Sequence, residues 1–323
     1  MSNMMNKAQG FGLSLITKIA GSEVLDQLKL RKFVEKSLYQ GSKTGFKVLN
    51  KTQKAFKPQA IDKQRLPNQV NKNLFDLSLT EEQQMTVDAM SQFAEEVLYA
   101  LAHEADHQAE FPEQLWQHLV DLGLNYYALP EALGGVAAEQ NIVSNILIAE
   151  SLAKGDFSLT AGLLSTFSVI NAITRWGSTQ VQSMYLPVFA EDTDVTATFA
   201  FQEATPAFNP YQLKTTATEA NGQFYITGEK TLAILGDTAD VFLVSAKFNG
   251  QPDIFVVQSN ETIAIKANPA MGLKATETAT LQFNQTPALR LGDADFDYTA
   301  FVDLGNLMWC AMAIGTGEAI KAY

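Results

Sequence analysis

The sequence predicts an α+β multidomain protein with an N-terminal all-α domain, an antiparallel β-barrel-like middle domain and the start of a C-terminal helical bundle. Apolar residues recur at helical spacing up to about Ala190, alternate with polar residues up to about Leu291, and return to helical spacing from about Tyr298. We therefore expect four segments: an N-terminal extension and linker at 1–74, a helical domain at 75–193, a β domain at 194–296 and the first bundle helix at 297–323.

The chain is acidic over most of its length and basic at its N-terminal end. Its 323 residues are 46% apolar and carry a net charge of −12, which fits a globular protein with more than one core. Residues 1–72 contain 14 Lys/Arg against 4 Asp/Glu, whereas residues 73–323 contain 9 against 31. An acidic body argues against nucleic acid as a partner, because phosphate binding requires a basic surface.

Cysteine content and hydropathy indicate a cytoplasmic protein. Cys310 is the only cysteine, so no intrachain disulfide can form, and the composition fits a reducing compartment. The apolar segment Phe11–Ala20 is short and interrupted by Lys18, so we do not expect a secretory signal. No run of residues approaches the roughly 18 apolar positions that a membrane span requires.

The N-terminal extension is predicted to form one or two basic amphipathic helices. Apolar residues recur at roughly helical spacing between Leu13 and Leu38, with lysines between them, and the stretch 51–73 loses this periodicity. Two roles remain open. The helices could pack on the protein's own oligomer, or residues 1–50 could attach peripherally to the anionic inner face of a membrane, which basic amphipathic helices favour.

Local signals define the helical domain from Leu79 onward. Thr80 and Gln83 have the spacing of a capping box, and one face of the helix that follows carries four apolar residues, Met90, Phe93, Val97 and Leu101. Pro112 is predicted to lie in the first turn of the next helix. The pair Gly134-Gly135 then interrupts the helical pattern.

Three further helices complete this domain. Two apolar-rich helices are predicted at about 136–154 and 158–176, and the second is apolar on most sides, so we expect it to be central and buried. A short helix from Ser178 is predicted to carry Tyr185-Leu186-Pro187 at its end.

Alternating apolar and polar residues predict the β domain. Strands are expected near 195–201, 213–219, 223–234, 240–247, 252–258 and 278–283. Asn221-Gly222 and Asn249-Gly250 each lie between two of these strands, and Asn-Gly is typical of a type I′ hairpin turn. The sequence therefore predicts a largely antiparallel block.

One motif suggests metal chemistry but lacks its context. His103-Glu104-Ala105-Asp106-His107 matches His-Glu-x-x-His, a spacing that places two imidazoles on one helical face for zinc. The only other histidine, His118, does not fall at a third-ligand position. We interpret the motif as a solvated helix end and expect no metal. Glycine-rich nucleotide-binding motifs and a hydrolase Gly-x-Ser-x-Gly are absent from the sequence.

A set of short segments, in order and with consistent spacing, resembles the motifs of the acyl-CoA dehydrogenase family. The segments are Phe111–Trp116, Leu122–Leu124, Leu129–Glu131, Gly134-Gly135, Trp176-Gly177 with Gln180, Tyr185–Pro187, Thr227–Lys230, Thr276–Thr278 and Ala313–Gly315. The resemblance covers about residues 75–323. No single segment is diagnostic, but together they identify the family.

The resemblance implies an activity, a cofactor and partners. Family members hold FAD between the β domain and the bundle and oxidise a fatty acyl-CoA to the trans-2-enoyl-CoA. They pass the electrons to an electron-transfer flavoprotein, and the resemblance also implies a homo-oligomer. The family's usual catalytic glutamate would lie beyond Tyr323, which leaves the catalytic base unknown, so we expect residues 1–323 by themselves to be inactive. Where some members place a glutamate at the start of the bundle, this chain has Gly305, and a neighbouring arginine position is Asn306.

The resemblance also places five residues at the flavin: Phe199, Gln202, Glu203, Leu232 and Ile234. It places Phe208 beside the substrate thioester. Several of these positions depart from the family pattern: the small-residue loop after Glu203 is bulkier here, and Ile234 replaces a threonine that hydrogen-bonds the flavin. Losing that hydrogen bond would cost on the order of 1 kcal/mol. The alternatives are therefore a flavin-free subunit that binds acyl-CoA or a catalytic partner, and an acyl-CoA oxidase.

Overall fold

The computed structural model describes residues 78–135, 142–191 and 195–322. The chain divides into two compact units, residues 1–88 and 89–323. The predicted basic helices and linker lie outside the described residues, as does the start of the helix predicted at 136–154. The domain boundaries expected at 194 and 297 remain a prediction, because residues 89–323 group together as one unit.

The described residues begin with the predicted capping box. Helix α1, Glu81–Phe93, starts after Thr80. The amide of Thr80 donates to Gln83 Oε1 and the amide of Gln83 donates to Thr80 Oγ1, both at 3.1 Å. These reciprocal bonds satisfy two amides that the first helical turn leaves unpaired, which confirms the prediction.

The second unit continues with a series of helices. They are a π-helical turn Ala94–Leu98, α2 Tyr99–Gln108, α3 Gln114–Leu122, α4 Leu124–Ala128, a 3₁₀ turn Glu131–Leu133, α5 Ile142–Leu152, α6 Phe157–Trp176 and α7 Thr179–Glu191. The amide of Leu115 donates to the Pro112 carbonyl at 2.9 Å, so Pro112 lies at the entry to α3, close to its predicted position.

Helix α6 is the buried centre of the helical part, as predicted. The Asp156 side chain caps it by accepting a 2.7 Å bond from the amide of Leu159. Phe111 packs against the helix so closely that a Cβ on Gly162 would lie 2.3 Å from its ring. Among the described residues, this helix alone has the length and composition to cross a membrane, and 78% of its most apolar stretch is buried inside the protein. Burial inside the core accounts for that composition.

Helix α7 extends further than the sequence suggested. Tyr185-Leu186-Pro187 does not end it, because the helix continues from Pro187 to Glu191. A proline inside a helix removes one backbone hydrogen bond, and the burial of Tyr185, Leu186 and Phe189 against the core offsets that loss. The side chain of Gln182 also donates to the carbonyls of Ile173 and Thr174 and so attaches α7 to the end of α6.

Seven strands follow: β1 Ala197–Ala200, β2 Thr216–Ala220, β3 Gln223–Ala233, β4 Val241–Phe248, β5 Gln251–Gln258, β6 Ile263–Ala267 and β7 Ala279–Arg290. Strand β6 was not predicted, because only Ile263 in it is buried and the alternation is therefore weak. Both Asn-Gly pairs have positive φ angles, 54° and 79° at Asn221-Gly222 and 50° and 83° at Asn249-Gly250, which confirms the type I′ turns.

The strands close into a barrel-like sheet. Neighbours β2–β3, β3–β7, β7–β5 and β5–β4 are antiparallel, and a parallel contact between Thr216 of β2 and Lys247 of β4 closes the ring. Strand β1 pairs with β4 in parallel, so the block is not wholly antiparallel. The interior is filled by apolar side chains that include Ile226, Phe242, Phe255, Leu281 and Phe283.

The last helix, α8, spans Tyr298–Ala322 and begins where predicted. One side packs tightly on α5, where a Cβ on Gly315 would lie 2.0 Å from the Glu150 carbonyl oxygen. The hydroxyl of Thr316 donates to the Ala153 carbonyl at 3.0 Å. Other apolar side chains of this helix are exposed: Leu307 at 49%, Trp309 at 41%, Ile314 at 55% and Ile320 at 72%.

Candidate functional site

The residues predicted to contact the flavin meet where β1 and β3 end. The carbonyl of Gln202, just after β1, accepts a 2.8 Å bond from the amide of Thr231 in β3. Strand β3 is bulged between Lys230 and Ala233, and Leu232 within the bulge has φ 54°. Leu232 therefore occupies a backbone region that bulky residues rarely adopt. The bulge and the hydrogen bond bring the end of β1 next to the Leu232–Ile234 segment.

The side chains at this junction present apolar surface with one polar group. Phe199, Leu232 and Ile234 are half-buried, and Gln202 is exposed. The Phe199 ring lies 5.9 Å from the Phe301 ring of α8, measured between centroids. Half-buried apolar side chains beside an exposed amide are suited to a flat ring that has one polar edge.

Beneath this surface lies a buried ion pair. The Nζ atom of Lys230 is 2.9 Å from Glu203 Oε1, and the two side chains are 0% and 4% exposed. Lys230 also donates to Ser245 Oγ at 2.9 Å and to the Phe201 carbonyl at 3.1 Å. The Glu203 carboxylate accepts two further bonds, from the amides of Lys214 and Thr215 at 2.8 and 2.9 Å. The Glu203 carboxylate thus joins the end of β1 to β3 and to the start of β2.

Glu203 was predicted from the sequence to contact the flavin, whereas its pairing with Lys230 was not predicted. The pairing could have been suspected, because the two residues have opposite charges and the family resemblance had already singled out both, Lys230 in the segment Thr227–Lys230 and Glu203 among the flavin positions. Whether Glu203 also approaches a cofactor stays a prediction. Its carboxylate oxygens are occupied by Lys230 and two backbone amides.

The surroundings of the Glu203–Lys230 pair shift the pKa values of both groups. Burial acts to raise the pKa of the Glu203 carboxyl, but the hydrogen bonds from the two amides and the Lys230 charge together hold that pKa below its usual value. Burial lowers the pKa of Lys230 to about 8, against the opposing effect of Glu203. Both groups are therefore charged at neutral pH, and their hydrogen bonds connect the end of β1 to β3 and to the residues before β2.

The loop between β1 and β2, residues 204–213, follows this ion pair. It contains a turn in which Asn209 accepts bonds from the amides of Tyr211 and Gln212 at 2.9 and 3.0 Å. Ala207 has φ 50°, in the left-handed region. Phe208, which the sequence analysis placed at the thioester, is half-buried, and its ring lies 6.1 Å from that of Phe201.

Phe208 belongs to an aromatic cluster formed by Phe201, Phe208, Tyr298 and Phe301. The Phe201 ring centroid is 6.4 Å from Tyr298 and 6.3 Å from Phe301, the two aromatic residues at the start of α8. The Tyr298 hydroxyl donates to the Pro210 carbonyl in the loop at 2.8 Å. This cluster was not predicted from the sequence, although Phe199 in β1 and Phe201 directly after it have the two-residue spacing of side chains on one face of a strand.

Two clefts open elsewhere on the second unit. A cleft of about 560 Å³ at the start of α8 is lined by residues that include Tyr211, Gln251, Asp295, Asp297 and Tyr298. A larger one, about 990 Å³, lies between α2, α3 and the edge of the barrel and carries Glu104, Glu110, Glu113 and Trp116. The residues predicted to contact the flavin line neither cleft, so their placement rests on the strand geometry.

The remaining predicted positions are exposed. Gly305 and Asn306 lie on exposed turns of α8, and a Cβ on Gly305 would meet nothing within 4 Å. His103 and His107 are exposed near the end of α2, in agreement with a solvated helix end. Within residues 78–135, 142–191 and 195–322, no group of three His, Cys, Asp or Glu side chains could hold a metal ion.

Comparison with known proteins identifies relatives for most of the described chain. Two family models match: the acyl-CoA dehydrogenase N-terminal domain over residues 80–193 and the acyl-CoA dehydrogenase middle domain over residues 198–286. An acyl-CoA dehydrogenase of Bacillus subtilis is 28% identical over 260 residues, which are 75% of this chain and 67% of the relative. A cyclohex-1-ene-1-carbonyl-CoA dehydrogenase of Geobacter metallireducens is 30% identical, over 74% of this chain and 66% of the relative.

Other relatives are longer, and solved structures agree on the fold. The chain spans 42% of a probable acyl-CoA dehydrogenase of Bacillus subtilis, at 28% identity over 75% of its own length. The butyryl-CoA dehydrogenase of Megasphaera elsdenii is 25% identical with a TM-score of 0.67, covering 76% of this chain and 68% of that one. A glutaryl-CoA dehydrogenase of Mycobacterium smegmatis in complex with FADH2 shares the fold at 22% identity and a TM-score of 0.63, covering 73% and 62%. As its motifs predicted, the chain belongs to the acyl-CoA dehydrogenase family and carries that family's N-terminal and middle domains.

Proposed function

We propose that this chain forms the N-terminal and middle part of an FAD-dependent dehydrogenase that oxidises a fatty acyl-CoA to the trans-2-enoyl-CoA. The observation that supports this most directly is the junction of β1 and β3. There, half-buried Phe199, Leu232 and Ile234 lie beside the exposed amide of Gln202, above the buried Glu203–Lys230 pair. The surface suits a flat heterocycle with a polar edge, and the ion pair below makes it rigid.

FAD supplies a two-electron acceptor when bound. In this proposal Leu232 and Ile234 cover the apolar part of the ring, and the Gln202 amide bonds its polar edge. Phe199, whose ring contacts Phe301, limits how far the ring can move towards α8. Ile234 has no hydroxyl, so binding lacks one hydrogen bond worth on the order of 1 kcal/mol. The chain therefore should bind FAD more weakly than a variant with threonine at this position.

Abstraction of the α-proton requires a base, for which the described residues offer no assigned candidate. Gly305 and Asn306 carry no carboxylate.

We propose that the electrons pass to an electron-transfer flavoprotein. A homo-oligomer is supported by the exposed apolar residues of α8. Peripheral contact of residues 1–50 with an anionic membrane surface is supported by their basic character, and a cytoplasmic location by the single cysteine.

The visible absorption spectrum of the purified full chain tests the cofactor. Near-stoichiometric FAD, released and quantified, is the expected result. Butyryl-CoA and palmitoyl-CoA should not bleach the flavin band of this chain, because the described residues supply no base for the α-proton. A matched pair of variants sharpens the test: Ile234→Thr should bind FAD about five-fold more tightly and Gln202→Ala more weakly, by roughly one hydrogen bond each. A colourless protein that takes up no added FAD, with or without Ile234→Thr, contradicts the proposal.

A flavin-free subunit that binds acyl-CoA or a catalytic partner is the second candidate. It is favoured by the packing of Phe208 inside the aromatic cluster and by the missing hydroxyl at Ile234. Binding of butyryl-CoA by a colourless protein would select this candidate. An acyl-CoA oxidase differs in reacting directly with oxygen, so fast formation of hydrogen peroxide in air by the flavin-loaded protein, after reduction with dithionite, would select it instead.

A further inference from the structure

Hydrogen bonds attach the loop of residues 204–213 to the rest of the protein at two places. At its base, the Glu203 carboxylate accepts bonds from the amides of Lys214 and Thr215 within the buried ion-pair network. Nearer its middle, the Pro210 carbonyl accepts a 2.8 Å bond from the hydroxyl of Tyr298. The first attachment closes the loop, and the second determines where the middle of the loop lies relative to α8.

Tyr298 is itself held firmly. It is 8% exposed, and its ring stacks on Phe201 and Phe301 with interplanar angles of 17° and 21°. Burial raises the pKa of Tyr298 well above its usual range, so the hydroxyl stays protonated and remains a hydrogen-bond donor. A rigid donor of this kind fixes its acceptor.

The backbone of the loop is strained next to Phe208. Ala207 adopts a left-handed φ of 50°, which costs free energy for a residue with a side chain. The residue that follows, Phe208, is directed onto Phe201 in the aromatic cluster. If the Pro210 carbonyl were released, the strained turn could relax and Phe208 could leave the cluster.

We propose that Tyr298 is a positioning residue of the acyl site: by holding Pro210, it keeps Phe208 against Phe201 as part of the wall beside the thioester. The identity of the ligand rests on the proposed function, whereas the attachment of the loop does not. A phenyl wall held beside the thioester narrows the space around the first carbons of the acyl chain, so it favours acyl groups that are unbranched there. Release of the loop should therefore improve the relative affinity for acyl groups that are branched at the α-carbon.

Amide hydrogen exchange on the full chain tests the attachment. Tyr298→Phe removes only the hydroxyl and keeps the ring in the cluster. Tyr211→Phe is the matched control, because the Tyr211 hydroxyl has no partner among the described residues and the ring is 46% exposed. In Tyr298→Phe the amides of Tyr211 and Gln212 should exchange roughly five-fold faster, as expected for the loss of one hydrogen bond. Exchange equal to that of the control overturns the proposal.

Titration calorimetry with butyryl-CoA and isobutyryl-CoA, which differ only in branching next to the thioester, tests the consequence for the ligand. The ratio of the two affinities should shift towards isobutyryl-CoA by roughly three-fold or more in Tyr298→Phe, and also in Phe208→Ala, but not in Tyr211→Phe. If exchange is faster in Tyr298→Phe but the ratio of the two affinities is unchanged in both Tyr298→Phe and Phe208→Ala, Tyr298 has no role in the acyl site and that part of the proposal is overturned. If the unaltered chain binds neither thioester, the proposed function fails, while the exchange data still decide whether Tyr298 holds the loop.

Discussion

Replacement of Lys230 by methionine should destabilise the β domain strongly. The lysine side chain is 0% exposed, and its Nζ bonds Glu203 and Ser245 at 2.9 Å and the Phe201 carbonyl at 3.1 Å. Methionine keeps most of the volume but leaves the Glu203 carboxylate buried with only its two backbone amide donors. Removal of one partner of a buried ion pair costs about 3–5 kcal/mol, so we expect a loss of that size in the free energy of unfolding.

Urea-induced unfolding, followed by circular dichroism and tryptophan fluorescence, measures this loss. Lys247→Met is the matched control: Lys247 is exposed on β4, and its replacement should change stability by no more than about 0.5 kcal/mol. The double variant Glu203→Gln with Lys230→Met should lose less than the sum of the two single variants, by about 1 kcal/mol or more, because it buries no unpaired charge. A Lys230→Met protein as stable as the control, or strictly additive losses, would refute the buried pair as a stabilising contact.

Three further outcomes are expected. The pKa of Glu203 is lowered in the folded protein, so its charge contributes stability above the unfolded pKa of about 4.3. This stability is lost as the pH falls through the folded pKa. Urea midpoints between pH 6 and 3 should therefore fall less in Glu203→Gln than in the unaltered chain. Gly315→Val should lower the free energy of unfolding by about 1–3 kcal/mol, because its Cβ would lie 2.0 Å from the Glu150 carbonyl oxygen. Gly317→Val should have a smaller effect, because the space around Gly317 is open. Equal thermal midpoints for the two variants would contradict the α5–α8 packing. Gly222→Ala should cost roughly 1–2 kcal/mol in the same assay, since φ there is 79°, and no loss would contradict the type I′ turn.

Short-range patterns determined much of the fold. The Thr80–Gln83 capping box, the two Asn-Gly hairpins and the start of α8 at Tyr298 were all predicted correctly, because each depends on residues within a few positions of one another. The buried character of α6 followed from its composition alone. The family motifs, spread in order along the chain, were sufficient to identify the family without any structural information.

Contacts between distant residues decided the remaining features. Glu203 and Lys230 are 27 positions apart, and Tyr298 and Pro210 are 88 apart, so no periodicity or local propensity could have paired them. The same limit explains the parallel pairing of β1 with β4 and the continuation of α7 past Pro187, which packing stabilises against a local preference. The sequence by itself determined the elements and the family. Only the tertiary structure decided which buried charges meet and which side chain holds the loop that carries Phe208, because burial and long-range pairing arise when the elements pack together.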